Sequence, residues 1–323
     1  MTGSQRRALM LVGLSRSSWH YRNRPRARVS APVAHTDRAY PTRISDDDRA
    51  VIEGYVRAAW EQGCSVDYAF ADAWDRGVML ASRRSWWRIA RAMSDQHARP
   101  VIATGRAFSR SREKPVVVAT GPGQVWSWDI TDLKTPFSRK AFKAYCIIDI
   151  YSRQIVGYRC EEREVDDLAV KMFERAIATH GAPKIVHADS GAAMRSNALA
   201  QALDAHGVTM SHNRPYTSND NPYSESEFRT MKYRPNYPGR FKTLEEARTF
   251  LAEYVPWYNT SHKHSGIALF PPAAVHDGTW KQLWEQRVTR LEEYFSKHPE
   301  RFTHPPVVPT PATVVGINHQ PTT

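Results

Sequence analysis

The feature that most constrains the fold is the order of strand-like and helix-like segments between residues 124 and 232. Three strand-like segments come first, and helices then alternate with two further strands. The segment KAYCIIDI at 143–150 is almost wholly apolar, as expected for a strand covered on both faces. The order β-β-β-α-β-α-β-α predicts an α/β layered domain built on a sheet of five strands.

Three acids stand at defined places in this order. Asp129 lies in the strand-like QVWSWDIT, Asp189 follows a short strand in KIVHADSG, and Glu225 lies on a later helix. That helix is predicted to begin at Pro222 with Asn221 as its N-cap. Thirty-five residues separate Asp189 from Glu225. Two carboxylates from strands and one from a helix can build a two-metal site.

The helix that carries Glu225 allows a second interpretation. Glu225, Arg229 and Lys232 fall at i, i+4 and i+7, so they share one helix face. Such a face is often only an exposed set of weak ion pairs. The two upstream acids favour the metal interpretation.

Five other polar side chains invite a functional interpretation that we weigh lower. Asp149 is predicted to be a hydrogen-bonded structural acid, and Asp220 a turn residue. His187 faces the same side of its strand as Asp189 but is predicted to be a satisfied core histidine. His262 and His264 have no cysteine partner, which argues against zinc.

Positive charge is concentrated in the first part of the chain. The whole sequence has 45 Lys and Arg against 33 Asp and Glu, a net charge of +12. Residues 1–120 contain 21 of these bases, nearly all arginine, and 11 acids. This imbalance favours a nucleic-acid partner, because basic side chains neutralise phosphates. A basic soluble protein without such a partner is the alternative.

The basic part is predicted to contain two helix-turn-helix regions. Residues 1–23 suggest one, residues 24–43 a basic linker, and residues 44–97 a second helical DNA-binding domain. A small helical bundle with a basic solvent face is the alternative for 44–97. The candidate DNA contacts on its last helix are Arg83, Arg84, Arg88 and Arg91.

The remaining boundaries follow from composition. Residues 98–119 are basic and turn-rich and are predicted to be a linker. Residues 120–280 hold the predicted α/β domain with the three acids, and residues 281–323 a C-terminal helix with a tail that is Pro-rich and loose from Phe302.

Cysteine usage and hydropathy bear on the compartment. Cys146 and Cys160 lie in apolar strand-like segments and are predicted to be core thiols, and Cys64 has no metal-ligand spacing. No apolar run is long enough to span a membrane, and the first residues lack a secretory signal. The expected location is a reducing cytoplasm.

The motifs together resemble a known family. WSWDIT, HADSG and SNDNPYSESEFRTMKYRPNYPGRF, followed by PWYN and HSGI, are similar to the integrase core of bacterial insertion-sequence transposases of the OrfB type. The resemblance implies a ribonuclease H-like fold and metal-dependent DNA cleavage and strand transfer. It further implies that Asp129, Asp189 and Glu225 bind two Mg²⁺ or Mn²⁺ ions. Lys232 matches a family lysine that contacts DNA near the cut, and Arg229 is a neighbouring candidate.

The resemblance also implies partners and shows one departure. The expected partners are double-stranded DNA (the terminal inverted repeats and the target), a homo-oligomer, and an OrfA protein or a fused OrfAB form. Ser190 stands where many members have Arg or Lys, which affects a local contact and not the three acids. No sustained heptad pattern is present, so the OrfA zipper is expected to be absent from this chain.

Two other functions are compatible with a core of this kind. One is a ribonuclease H-like nuclease or resolvase that cuts DNA without joining it. The other is a DNA-binding regulator whose core is inactive. The basic helical regions argue against the first, and the presence of all three acids argues against the second.

Overall fold

The computed structural model describes residues 5–23, 40, 42–93, 116–189, 196–214 and 221–319. The chain forms two compact units, Met1–Arg43 and Ile44–Thr323. The first contains α1 (Gln5–Leu11) and α2 (Arg16–Asn23). The Ser15 hydroxyl accepts a hydrogen bond of 3.0 Å from the Ser18 amide and so caps α2. The two helices lie where the sequence predicted them.

The second unit begins with three helices, α3 (Asp46–Glu61), α4 (Val66–Asp75) and α5 (Arg83–Met93). Serine residues cap the first two, since the hydroxyls of Ser45 and Ser65 accept bonds from the amides three residues later. Trp86 and Ala90 of α5 are buried and form its apolar face.

A mixed sheet of five strands forms the centre of this unit, with the spatial order β4-β3-β2-β5-β6. β2 pairs antiparallel with β3 and parallel with β5, and β6 continues the parallel side. The strands in chain order, after a short separate β1 (Val117–Ala119), are β2 (Val125–Lys134), β3 (Ala141–Asp149), β4 (Ile155–Glu161), β5 (Ile185–Ala188) and β6 (Thr209–His212). The predicted ribonuclease H-like α/β fold is confirmed.

Helices cover both faces of the sheet. The remaining helices are α6 (Asp166–His180), α7 (Asn197–Asp204), α8 (Pro222–Lys232), α9 (Leu244–Thr260), α10 (Pro272–Asp277) and α11 (Trp280–Lys297). Trp126 and Trp128 of β2 point to the α6 and α7 side and are fully buried. Leu133 of β2 lies in the opposite core, with Phe228 of α8 and Phe250 of α9. Among the described helices, none combines the length and apolar character needed to cross a membrane.

The C-terminal tail differs from the prediction. It was expected to be loose from Phe302, but β7 (Val315–Ile317) pairs antiparallel with β1, inside the predicted linker 98–119. Val117 and Ile317 are buried in one small apolar cluster, and this burial orders the tail. Composition alone did not indicate a strand here, because each strand has only three residues.

α11 packs against α4. The Trp74 indole Nε1 donates to the Arg287 carbonyl at 3.2 Å, and the Arg287 guanidinium binds the Asp75 carboxylate at 2.7 Å. Leu291 belongs to the same buried cluster as Trp74 and Trp86. Residues 44–93 and the C-terminal helix therefore share a core, while the predicted functional boundaries between 44–97, 120–280 and 281–323 stay predictions.

The three cysteines, Cys64, Cys146 and Cys160, are buried and free. The prediction that Cys146 and Cys160 are core thiols is confirmed. Burial raises the pKa of the Cys160 thiol to about 11, so this side chain is protonated at neutral pH.

Candidate active site

The sheet brings two of the predicted acids to adjacent strands. Trp128 of β2 pairs with Ala188 of β5 in a parallel ladder. Asp129 is the next residue of β2, and Asp189 directly follows the end of β5. The Asp129 carboxylate accepts a bond of 2.8 Å from the Ile130 amide. Strand pairing thus places two carboxylates side by side near the middle of the sheet.

The third acid is placed by a buried polar network at the start of α8. The Ser127 hydroxyl donates to the Asn221 side-chain oxygen, and the Asn221 amide donates to the Trp128 carbonyl at 3.3 Å. The hydroxyls of Ser127 and Ser224 lie 3.0 Å apart. Because Glu225 follows Ser224 directly, this network fixes the helix turn that carries it against the strand that carries Asp129.

Asn221 therefore has a role different from the predicted one. Its side chain makes no N-capping bond to α8. It is 2 % exposed and binds β2 instead. The sequence analysis missed this network, although one signal was present. Ser127 is a polar residue on the same strand face as Asp129, and a helix that covers this face must bury it.

A second contact holds α8 from the other side. The Tyr223 hydroxyl donates to the Gly316 carbonyl of β7 at 2.9 Å. The Arg153 guanidinium lies 4.2 Å from the centre of the Tyr223 ring, within cation–π range. The C-terminal strand therefore contacts the first turn of the helix that bears Glu225.

The three acids interact electrostatically. The pKa of Asp129 is raised from 3.8 to about 7, chiefly by burial and further by the negative charges of Asp189 and Glu225. Partial burial also raises the pKa of Glu225. Concentrated carboxylates of this kind suit a divalent cation, which prefers oxygen ligands. Within the described ranges, no three His, Cys, Asp or Glu side chains are close enough to hold a metal ion.

The predicted DNA contacts on α8 lie beside these acids. The Lys232 ammonium donates to the Thr131 hydroxyl at 2.6 Å. Thr131 lies two residues after Asp129 on β2, so the two side chains share one face of the sheet. Burial lowers the pKa of Lys232, which is half-buried. Arg229 is exposed. The arrangement places a cation within electrostatic range of the acids.

The predicted contacts on α5 fall into two groups. The Arg83 guanidinium forms two bonds with the Asp67 carboxylate, at 2.8 and 2.7 Å. Arg84, Arg88 and Arg91 are exposed. Arg83 therefore links α5 to α4, and the other three side chains face solvent.

The side chains that we weighed lower have structural roles where they are described. Asp149 is fully buried and accepts bonds from the Gly123 and Ser152 amides, both at 2.7 Å. His187 is fully buried between Ser211 and Asn213, at 3.0 and 2.7 Å. Both predictions are confirmed. Ser190 and Asp220 lie outside the described residues.

His262 and His264 form part of an aromatic cluster. The His262 ring stacks on Tyr258 with 5.2 Å between ring centres, and His264 accepts a bond from the Gly266 amide at 3.0 Å. Burial lowers the pKa of His262 to about 4 and that of His264 to about 3, so both are neutral at physiological pH.

These two pKa values predict acid sensitivity. The unfolded chain takes up protons near pH 6.5 and the folded chain does so only near pH 4, so the free energy of unfolding falls as pH drops through this window. Each histidine contributes up to about 1.4 kcal/mol per pH unit. We expect His262→Phe to weaken this dependence in urea titrations between pH 7 and 4.5. The same change at exposed His206 is the control, and an equal effect of both variants would contradict the prediction.

Comparison with known proteins agrees with this architecture. An integrase core domain model matches residues 119–218, and a second integrase core domain model matches 206–272. The transposase for insertion sequence element IS904 of Lactococcus lactis is 32 % identical over 46 % of this chain and 59 % of its own length. The putative transposase InsK for insertion sequence element IS150 of Escherichia coli is 28 % identical over 44 % of this chain and 50 % of its own length.

The chain thus spans little more than half the length of these curated relatives. Among solved structures, the catalytic core domain of HTLV-2 integrase in complex with magnesium is 16 % identical, with a TM-score of 0.38 over 48 % of this chain and 97 % of that one. Residues 119–272, which include the five-stranded sheet, thus match integrase core domain models, and the relatives that share this region are transposases of bacterial insertion sequences.

Proposed function

We propose that this chain cuts DNA at the ends of an insertion sequence and joins the released 3′ ends to target DNA. The observation that carries the proposal is that Asp129 lies within electrostatic range of both Asp189 and Glu225, in a region that matches an integrase core domain. Family membership supports the class of reaction, phosphoryl transfer between polynucleotides.

The three acids are proposed to hold two divalent cations, Mg²⁺ or Mn²⁺. Such ions, when bound, stabilise the attacking and leaving oxygens of an in-line displacement at phosphorus. Asp129, Asp189 and Glu225 would together supply the carboxylate oxygens that hold these ions. The Ser127–Asn221–Ser224 network would keep the Glu225 turn in place during the reaction. No covalent intermediate with the protein is required.

Basic side chains are proposed to place the DNA. Lys232 and Arg229 would contact phosphates beside the reacting bond. Arg84, Arg88 and Arg91 would contact the terminal inverted repeats, whereas Arg83 is held by Asp67 and would orient α5. A homo-oligomer on DNA, with an OrfA protein or as a fused OrfAB form, is the proposed assembly.

The test is a strand-transfer assay with the full chain, labelled element ends and a supercoiled plasmid. We expect cut ends and joined products in Mg²⁺ or Mn²⁺, and neither product in EDTA. Cutting without joining would favour a nuclease or resolvase. DNA binding with no product in either metal would favour a regulator.

Asp129→Asn provides the matched inactive variant and predicts an opposite effect on stability. A carboxyl whose folded-state pKa is raised from 3.8 to about 7 destabilises the fold as pH rises through that window. At pH 8 in EDTA, we expect the variant to melt a few degrees higher than the wild type while losing all products. Mn²⁺ should raise the Tm of the wild type only. A lower Tm of the variant in EDTA would contradict this assignment of Asp129.

A further inference from the structure

The hairpin between β2 and β3 presents an exposed aromatic ring among cations. Phe137 lies at its tip and is 62 % exposed, although burying a phenyl ring is normally favourable. Lys134, Arg139 and Lys140 on the same hairpin are all exposed. An apolar ring that is kept in solvent beside three cations suggests a binding surface.

The hairpin is fixed by its own hydrogen bonds. The buried Thr135 hydroxyl donates to the Lys140 carbonyl at 2.9 Å and accepts from the Phe137 amide at 3.2 Å. The Lys140 amide donates to the Phe137 carbonyl at 3.3 Å. The hydrogen bonds of the turn therefore fix the position of Phe137.

The hairpin is continuous with the candidate active site. The Phe241 amide donates to the Lys134 carbonyl at 2.8 Å, and the Arg240 guanidinium donates to the Thr135 carbonyl at 3.0 Å. Lys134 also acts electrostatically on Lys232, which binds β2 beside Asp129. Lys232, Lys134 and Arg240 thus form a basic border that runs from the acids to the hairpin.

The net positive charge of this border favours the binding of a polyanion. Residues 131–143 carry four Lys or Arg and one acid, Asp132, which is paired with Lys143 at 2.7 Å. Residues 232–242 carry four Lys or Arg and no acid. Lys134 lies five residue steps after Asp129 on β2, about 17 Å at roughly 3.4 Å per residue. Duplex DNA rises by about the same amount per base pair.

We infer that Phe137 is a wedge that inserts between base pairs of duplex DNA, while Lys134, Arg139 and Lys140 hold the flanking backbone. Because Phe137 lies beyond Lys134 at the hairpin tip, the wedged step is at least about five base pairs from the reacting phosphate. Apolar side chains that enter a base step unstack it and kink the duplex. This inference rests on the proposed function, since the DNA must lie across the three acids.

The experiment compares the binding of two 30-base-pair duplexes by the full chain, in Ca²⁺ so that no cutting intervenes. One duplex is fully paired, and the other has a central two-base mismatch that is already partly unstacked and carries 2-aminopurine. We expect the wild type to prefer the mismatched duplex about tenfold, because the mismatch spares part of the cost of unstacking a base step before the ring inserts. 2-Aminopurine fluorescence should change on binding.

Three variants decide the result. Phe137→Ala should lose the preference and the fluorescence change while binding the paired duplex nearly as well as the wild type. Phe137→Trp should keep both. Tyr158→Ala is the control, because Tyr158 is an aromatic residue that is 42 % exposed on the edge strand β4. It should behave as the wild type.

The inference is overturned if Phe137→Ala keeps the preference for the mismatch, or if the wild type has none. It is also overturned if Phe137→Ala changes only the sedimentation of the free protein, which would make Phe137 a contact between protein copies. Absence of binding to either duplex would overturn the proposed function as well. Failure of the wedge and failure of the function are thus distinguishable.

Discussion

Glu225→Gln is expected to lower strand transfer by at least about 10²–10³-fold, while DNA binding persists. The change removes one of the three carboxylates that we propose as cation ligands but keeps the size of the side chain. Loss of a single directly acting group in an active site has effects of this order. Single-turnover cleavage and joining with labelled ends measure it, and gel shifts in Ca²⁺ measure binding. Near-normal joining by this variant would exclude Glu225 from the site.

The sequence SESEF contains a matched control, because Glu227 stands two residues further on the same helix. It points away from Glu225, since successive residues are about 100° apart around a helix. Glu227 is 2 % exposed, and burial raises its pKa from 4.5 to about 7. Tyr254 and Cys146 lie beside it. Glutamine reproduces the shape of the protonated acid, so Glu227→Gln is expected to keep activity close to that of the wild type.

The two variants therefore distinguish the role of Glu225 from that of Glu227, which their closeness in the sequence does not. If Glu227→Gln were inactive and Glu225→Gln active, the assignment would have to move to Glu227. If both were inactive, the melting temperature would show whether Glu227→Gln had disturbed the packing of α8 on β3.

The parts of the fold that the sequence predicted are governed by local patterns. The alternation in QVWSWDIT is one such pattern, because Trp126 and Trp128 lie in one core and Asp129 lies on the other face of the sheet. At the start of α9, the Thr243 hydroxyl accepts a bond of 3.1 Å from the Glu246 amide, and the sequence spacing of these two residues is typical of a helix cap. Such signals lie within a few residues of each other and need no tertiary information.

The parts that the sequence did not predict depend on contacts between distant residues. Asn221 looked like an N-cap because Asn is common there, but it reaches β2 across 94 residues. Three-residue strands such as β1 and β7 have too little periodicity to be recognised, and pairing alone orders them. The buried ion pair between Asp75 and Arg287 spans 212 residues and had no visible signature.

That ion pair gives the second large prediction. Asp75→Ala is expected to destabilise the second unit by about 3–5 kcal/mol, because it leaves a buried guanidinium without its anion. Arg287 is 1 % exposed, and Asp75 also binds the Lys263 ammonium at 2.6 Å. Burial alone would raise the pKa of Asp75, but Arg287 and Lys263 together lower it. Thermal and urea unfolding of the full chain measure the loss.

Asp72→Ala on the same helix is the control. Asp72 pairs with Arg76 at 2.9 Å, but the Arg76 side chain is 68 % exposed, and surface pairs of this kind contribute only about 0–1 kcal/mol. A fragment that ends at residue 118 lacks Arg287 and all of α11, so it should be destabilised in the same way as Asp75→Ala. If Asp75→Ala cost no more stability than Asp72→Ala, and the fragment melted as cooperatively as the full chain, the predicted DNA-binding domain 44–97 would fold without α11. If both lose stability as expected, α11 is part of the structure that presents Arg84, Arg88 and Arg91.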